Sequence, residues 1–294
     1  MSLRSDESGH QHQAFCAQLL LDCDDPVFEG PLFRGKDDRP TKKMRDLTSP
    51  NSEDAVTWSV FRLLEQYFTD QPWLAGLLLI AGCRVEINGI PRVSFWEKGY
   101  PPMSRLLWLL DNIDNPCVAK SSGARRDPGR LRLVRQNLAE YRRNVVESKI
   151  RGNHKWVLEG PTEFDVLIRA PRLLVAVETK LYSDVATEVW WDKGRDQIAR
   201  VVDVGMEMAG ADDFCFLLVT DRRRHEPPKR YEQLIAHYKS GQSLGLPMDR
   251  LGWLTWGEIF GWLDGRRAHC TPEQVLWIDR LGPYLAKRSL LETE

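Results

Sequence analysis

Two acidic residues and a lysine lie close together in the segment EFDVLIRAPRLLVAVETK, which has the pattern of two strands joined by a short turn. A symmetric two-residue turn in the middle of this segment sets Asp165 directly opposite Glu178 and Glu163 opposite Lys180. Strand side chains alternate with a period of two, so these four residues are predicted to share one face of the hairpin. The pattern therefore predicts three carboxylates and one ammonium group in one place.

Carboxylates about 5 Å apart repel each other unless a cation or a proton joins them. Lys180 alone is a poor partner for three of them. Mg²⁺ is the economical partner, because it takes hard oxygen ligands and leaves positions for water and a substrate phosphate. We expect Asp165 and Glu178 to bind Mg²⁺, which Mn²⁺ can replace, and Lys180 to position the water that attacks a phosphodiester.

The triplet Glu178-Thr179-Lys180 is short, so its spelling alone carries little information. Glu147-Ser148-Lys149 has the same spelling, but it ends a helical, Arg-rich segment and has no partner carboxylate across a hairpin. The first triplet is favoured by the apolar strand that leads into it and by Asp165 on the preceding strand. A surface hairpin with cross-strand ion pairs is the alternative.

The elements that must position these residues divide into a leader and one domain. Residues 1–48, which are rich in charged, His, Pro and Gly positions, are expected to form a loosely structured leader. Residues 49–294 are expected to form one domain, mainly helical over 49–150 and α/β over 151–294. Helices are predicted at 51–68, 73–82, 103–112, 128–149, 187–208 and 229–240, and strands at 156–159, 163–170, 173–183, 214–220 and 252–256. This order predicts an α/β fold with a central mixed sheet flanked by helices and an N-terminal helical elaboration.

The composition is that of a globular domain, with 42% hydrophobic residues and 11 Trp in 294 positions. The net charge of −1 gives no global field toward nucleic acid. The six cysteines form no C-x-x-C pair, so they are expected to be reduced thiols. The longest apolar run, at positions 73–82, is about half a bilayer crossing, and no signal-type apolar segment opens the chain. A cytoplasmic protein without a membrane partner is expected.

The region from Lys120 to Lys155 is strongly basic, with eleven Lys or Arg residues against three acidic ones. Such an excess favours contact with a sugar-phosphate backbone without reading its sequence. The candidates for this contact are Arg125, Arg126, Arg130, Arg135 and Arg142. A solvated basic helix balanced by an acidic neighbour is the alternative. Further along the chain, the pair Trp190-Trp191 can either stack on bases or pack in the core.

The run LEGPTEFDVLIRAPRLLVAVETKLYSD resembles the core of the PD-(D/E)XK, or restriction-endonuclease-like, superfamily. Asp165 matches the Asp of the motif, and Glu178 with Lys180 matches its E-x-K half. The resemblance is strongest over about residues 150 to 221, and Phe164 stands where the name of the motif has a Pro. It implies a restriction-endonuclease-like core and Mg²⁺-dependent cleavage of DNA.

The resemblance also implies two further site residues. Many members of the superfamily carry a Glu in the first core helix as an additional metal ligand, and Glu53 is the candidate, with Glu147 as its competitor. Many also carry a polar residue in the helix after the E-x-K strand, and Gln197 matches that placement. The alternatives are a Glu53 that merely interacts with the helix dipole and a Gln197 that is simply a solvated helix residue.

These observations predict a DNA nuclease acting in restriction, repair or defence. Two other functions stay open: a non-cleaving nucleic-acid-binding or assembly module with the same fold, and an RNA nuclease. Endonuclease or exonuclease action, sequence specificity and oligomeric state are also left open.

Overall fold

The computed structural model describes residues 16–21, 28, 33, 41–49, 51–147, 157–221, 228–241 and 244–291. The helices in these ranges are α1 (Lys42–Leu47), α2 (Glu53–Tyr67), α3 (Trp73–Ile80), α4 (Met103–Asp111), α5 (Pro116–Ala119), α6 (Ser122–Arg126), α7 (Pro128–Gln136), α8 (Leu138–Val146), α9 (Gln197–Ala209), α10 (Arg230–Gly241), α11 (Trp256–Gly265) and α12 (Pro272–Ala286). The strands are β1 (Arg92–Phe95), β2 (Lys98–Gly99), β3 (Thr162–Glu163), β4 (Val166–Ala170), β5 (Leu173–Thr179), β6 (Asp213–Thr220) and β7 (Leu251–Thr255).

A five-stranded sheet in the order β1-β4-β5-β6-β7 forms the centre of the molecule. Its first three strands pair antiparallel, and β5, β6 and β7 pair parallel. Strands β2 and β3 form a separate two-stranded sheet. The predicted α/β fold with a mixed central sheet flanked by helices is therefore confirmed.

The hairpin of β4 and β5 has the predicted register. Val166 pairs with Val177, and Ala170 pairs with Leu173 across a two-residue turn. Pro171 restricts the backbone at the first turn position, and Arg172 has a left-handed φ of 60° at the second. All seven residues of β5 are buried, as expected for a strand with neighbours on both sides and helices over both faces.

Helices cover both faces of the sheet. Residues of α2, α3, α11 and α12 pack on one face, where Val175 and Val177 of β5 point. Residues of α9 and α10 pack on the other face, where Leu174 and Ala176 point. The strand that carries Glu178 is thus held between two helical layers, with α2 on one side and α9 on the other.

The helices α4 to α8 form a third layer with an apolar cluster of its own, which includes Leu109, Val134, Tyr141 and Trp191. The single helix predicted over 128–149 is two helices here, because the chain breaks at Asn137 between α7 and α8. Asn is a poor residue for a helix interior, since its side chain competes for backbone hydrogen bonds.

Most of the loosely structured leader predicted over residues 1–48 lies outside the described residues, and its described part contributes to the core. Leu19, Leu21, Phe28 and Phe33 are buried in the same cluster as α2, and α1 begins after a Thr41 side-chain cap. Apart from the short apolar stretch that ends at Leu21, these side chains follow no helical or strand period, so local pattern did not reveal their burial.

Four cysteines, at positions 83, 117, 215 and 270, are free thiols. Cys16 is disulfide-bonded, so the prediction of six reduced thiols is wrong at this position. Within the described ranges, no helix is both long and apolar enough to cross a bilayer.

Two further element predictions fail, and two short strands were missed. The helix predicted from 187 begins at Gln197, where Asp196 caps it. Residues 157–159 are irregular rather than a strand. The short strands β1 and β2 were not predicted, because four and two residues are too few to show a period.

Candidate active site

The candidate site lies at the carboxyl end of β5. Glu178, the next-to-last residue of the strand, is buried, and Lys180 follows directly after the strand. The Lys180 amine is 2.6 Å from Glu178 Oε1 and 3.6 Å from Glu53 Oε1. One ammonium group therefore lies between a carboxylate of the sheet and a carboxylate of α2.

Asp165 lies at a bend between β3 and β4. Its Oδ2 accepts hydrogen bonds from the backbone N–H of Thr179 at 2.8 Å and from the Thr179 hydroxyl at 3.0 Å. That hydroxyl is also 2.9 Å from the hydroxyl of Thr57 on α2. These contacts hold the Asp165 carboxylate at the end of β5, on the side that faces α2.

Glu53 is the first residue of α2, whose N-cap is Ser52. Its Oε2 accepts hydrogen bonds from the Leu181 backbone N–H at 2.8 Å and from the Ser183 hydroxyl at 3.2 Å. The helix therefore presents Glu53 to the segment that leaves β5. Glu147, its competitor, is exposed just after the end of α8, and it is Glu53 that lies beside the Lys180 amine.

Gln197, the first residue of α9, reaches the site from the other face of the sheet. Its side-chain amide donates to Glu178 Oε1, and its Oε1 accepts from the backbone N–H of Ala186 at 3.1 Å. The solvated role considered for Gln197 is therefore wrong, since the side chain bridges α9 and β5.

The prediction that Glu163, Asp165, Glu178 and Lys180 share one face of the hairpin is wrong in two respects. Phe164 and Leu167 pack on the same side although they are three residues apart, so the alternation breaks at the bend that contains Asp165. As a result Asp165 approaches from the α2 side and Glu178 from the α9 side. Glu163 is not part of the site: it pairs with Lys98 of β2, and its carboxylate also lies 3.2 Å from the Lys43 amine.

Burial raises the pKa of the Glu53 and Asp165 carboxyl groups to about 7 and also raises the pKa of Glu178. The nearby Glu178 carboxylate raises the pKa of Asp165 further, and the Lys180 ammonium lowers the pKa of all three acids. Burial opposes the charge of Lys180, but the three carboxylates outweigh burial and raise its pKa above the ordinary value. Lys180 thus stays charged at neutral pH, and three acids face one fixed cation.

The donor set of the site suits a hard divalent cation. Three carboxylates supply oxygen ligands, and one ammonium cannot balance their charge. Among the described residues, however, no group of three or more His, Cys, Asp or Glu side chains is arranged to hold a metal ion. In this arrangement Glu178 is paired with Lys180, and Asp165 with the N–H and hydroxyl of Thr179.

The arginines predicted to contact a nucleic-acid backbone lie on α6, α7 and α8. Arg135 forms an ion pair with Asp114 at 2.8 Å, and Arg142 forms one with Asp111. Arg130 donates to the carbonyl of Val157. The alternative considered from the sequence, a basic helix whose charge is balanced by acidic neighbours, thus describes Arg135 and Arg142.

The other two arginines lie on α6. Arg125 donates to the Lys120 carbonyl and is 3.5 Å from Glu188. Arg126 is exposed and lies 5.3 Å from the ring centre of Trp190.

A buried ion-pair network beside the site was not predicted from the sequence. Glu159 is 3.1 Å from Arg105, 2.6 Å from Arg195 and 3.5 Å from Arg200. Arg200 is three residues after Gln197 on α9, so the two side chains lie on the same face of the helix. This spacing is the one signal in the sequence that could have linked Arg200 to the site.

A comparison of the chain with protein-family models, with curated proteins and with solved structures found no match. The geometry of the site is therefore what bears on function.

Proposed function

We propose that the protein is a metal-dependent nuclease that hydrolyses phosphodiester bonds of DNA and that it is related to the PD-(D/E)XK superfamily. One observation carries the proposal: Glu53, Asp165, Glu178 and Lys180 come from three separate parts of the fold and meet at the end of β5. Carboxylates with pKa values raised by burial, in a place where a cation would relieve their repulsion, are typical of metal sites that act on phosphate esters.

Asp165, Glu178 and Glu53 would hold Mg²⁺, or Mn²⁺ in its place, through their carboxylate oxygens. When bound, such an ion stabilises negative charge on the phosphate and lowers the pKa of water. The carboxyl groups of Glu53 and Asp165, with pKa values of about 7, would release protons on binding the ion, so affinity for the ion should rise with pH.

The remaining residues orient the site. Lys180 is held in its charged form, so it does not act as a base; its ammonium would orient the attacking water or a phosphate oxygen. Gln197 holds Glu178 through its amide, and the N–H and hydroxyl of Thr179 hold Asp165. These partners fix the carboxylates before the substrate arrives.

DNA is the proposed substrate, because the resemblance points to it and because the helices α6 to α8 carry a local excess of arginine. The cytoplasmic location expected from the sequence stays a prediction. Restriction, repair and defence are all compatible with this chemistry.

A cleavage assay tests the proposal. Plasmid, linear and single-stranded DNA, and RNA, are incubated with Mg²⁺, Mn²⁺ or EDTA. We expect the wild type to cut DNA with either metal and not in EDTA, and we expect Asp165→Asn, Glu178→Gln and Lys180→Met to lose at least about 100-fold in rate. Glu147→Gln is the matched control and should keep the activity. Lack of cleavage by wild type with either metal would overturn the proposal.

A non-cleaving nucleic-acid-binding module is the second candidate. The observation that favours it is the Lys180 amine, which already pairs with Glu178, together with the lack of a preformed metal cluster among the described residues. Clustered carboxylates are of little use to a binder, however, because they repel phosphates. Wild-type protein that binds DNA in EDTA but cuts nothing with Mg²⁺ or Mn²⁺ would establish this second function.

A further inference from the structure

The two tryptophans of the pair Trp190-Trp191 have different settings. Trp191 is buried and belongs to the apolar cluster of α4 to α8. Trp190 is 46% exposed although it is one of the largest apolar side chains of the protein. Packing in the core therefore accounts for Trp191 but not for Trp190.

Trp190 is held in place by α6. The backbone N–H of Gly123 on α6 donates to the Trp190 carbonyl. A Cβ atom at position 123 would lie 2.7 Å from Trp190 Cδ1 and 2.7 Å from Trp191 Cδ2, so only glycine permits this close approach. The Arg126 guanidinium, at the end of α6, lies 5.3 Å from the Trp190 ring centre. The basic helix and the exposed indole thus form one fixed surface.

A cavity of about 350 Å³ lies beside Trp190. Its lining includes both tryptophans, Leu158, Glu159 and Arg200. Binding sites for small molecules have volumes of about 300 to 1,000 Å³, so this recess is of a size for one small ligand with an aromatic ring. The lining is mainly apolar and aromatic, with Glu159 and Arg200 as its charged members, and the Arg126 guanidinium lies over the Trp190 indole.

The cavity is close to the candidate active site. Arg200 lies one helical turn after Gln197, whose amide contacts Glu178. Arg200 also donates to the carbonyls of Gly160 and Pro161, in the segment that leads to Asp165. A DNA strand that passes the carboxylates can therefore reach the cavity.

We propose that Trp190 is a stacking platform and that the cavity beside it holds one unpaired nucleotide of a DNA strand whose backbone passes the carboxylates. The proposal rests on the proposed function and adds to it the form of the substrate: single-stranded DNA, or DNA with a base outside the helix. Bases within a duplex are stacked on each other and cannot lie on an indole, whereas an unpaired base can stack on it whatever its identity. Arg126, which is exposed beside the indole, supplies the charge that complements the adjoining phosphates.

Binding measured in EDTA tests the platform without cleavage. Fluorescence anisotropy is recorded for a labelled single-stranded oligonucleotide and for the matching blunt duplex. We expect Trp190→Ala to bind the single strand roughly 5- to 100-fold more weakly, as for the loss of one stacked base, and to bind the duplex like wild type. Trp190→Phe should keep most of the single-strand affinity, because it keeps an aromatic face.

Trp108→Ala is the matched control. Trp108 is also exposed, at 39%, with an arginine guanidinium 4.7 Å from its ring centre, but it lines a different cavity. This variant should bind both oligonucleotides like wild type, and thermal unfolding of each variant shows that the fold is kept.

Three results would overturn the platform: single-strand affinity unchanged in Trp190→Ala, equal losses in Trp190→Ala and Trp108→Ala, or no single-strand binding by the wild type. These results are separate from failure of the nuclease proposal. Metal-dependent cutting of duplex DNA by a protein that does not bind single strands would overturn the platform alone. Single-strand binding that depends on Trp190, without cleavage by wild type, would overturn the nuclease alone.

Discussion

Two charged regions lie on either side of the Gln197 end of α9, and they differ in how their charges are balanced. The buried network around Glu159 joins three carboxylates, Glu159, Asp192 and Asp203, to three guanidinium groups, Arg105, Arg195 and Arg200. At the end of β5, three acids lie around one ion-paired cation of the described residues, Lys180. Both regions are ionic and largely buried, but in the second the acids outnumber the cations that pair with them.

The difference is the basis for assigning a structural role to the first region and proposing a chemical role for the second. A balanced and hydrogen-bonded network can be buried without a further ligand, and it ties α4 and the segment before β3 to α9. The unbalanced site costs stability in the absence of a cation, and burial raises the pKa of its acids accordingly. Acids with pKa values raised in this way are typical of functional sites, which supports the proposed binding of a cation.

The largest expected effect comes from breaking the balanced network. Glu159→Gln should lower the free energy of unfolding by about 3 to 5 kcal/mol, because three arginines then lose their shared buried carboxylate. Glu178→Gln should lower it by less than Glu159→Gln does, since the lost ion pair with Lys180 is offset by reduced repulsion and Glu53 still pairs with the amine. Urea unfolding in EDTA measures both. Equal losses in the two variants would remove the distinction between the regions.

The pH dependence of stability gives an intermediate effect. The pKa of Asp165 in the folded protein is about 7, above its ordinary value of 3.8, so the folded state binds this proton more tightly than the unfolded state. Its contribution to stability is therefore complete below about pH 4 and is lost as the pH rises through 7. In EDTA, the free energy of unfolding of wild type, relative to that of Asp165→Asn, should fall by about 1 to 3 kcal/mol as the pH rises from 4 to 8. A difference between the two proteins that does not vary with pH would refute the raised pKa.

The smallest expected effect concerns the basic helices. Arg135 is already balanced by Asp114, whereas Arg126 stands exposed beside Trp190. Arg126→Ala should reduce the slope of log affinity for DNA against log salt by about 0.7 to 0.9, the value for one lost phosphate contact. Arg135→Ala should reduce it by less. A larger change for Arg135 would show that the paired arginines, rather than α6, meet the backbone.

The sequence predicted what depends on local pattern. The apolar period of two and the short turn predicted the β4–β5 register, and this register brought Asp165 and Glu178 to the end of β5. Gln197 and Glu53 were predicted as site residues from the resemblance to the superfamily. Both are distant in sequence from the β4–β5 hairpin, so no local pattern links them to it. In the structure Gln197 donates to Glu178, and Glu53 accepts from the segment that leaves β5.

The failures arise where distant residues decide the structure. Glu163 was predicted at the site, but β3, which contains it, pairs with β2 instead. The alternation of side chains between the two sheet faces breaks at Asp165. The Glu159 network was missed because charged residues are normally exposed, and nothing near them in sequence indicates that arginines from α4 and α9 will surround this carboxylate. Exposure of Trp190 beside buried Trp191 likewise depends on the packing of α6.

Titration with Mn²⁺ tests the central claim, that the unbalanced carboxylates bind a divalent cation, most directly. Calorimetry at pH 8, with free Mn²⁺ followed by electron paramagnetic resonance, should detect Mn²⁺ that wild type binds and that EDTA removes. Binding should persist in Glu147→Gln and be lost or strongly weakened in Asp165→Asn and Glu178→Gln, because each removes a charged ligand. Wild type that binds no Mn²⁺, or an Asp165→Asn variant that binds it as tightly as wild type, would contradict the account.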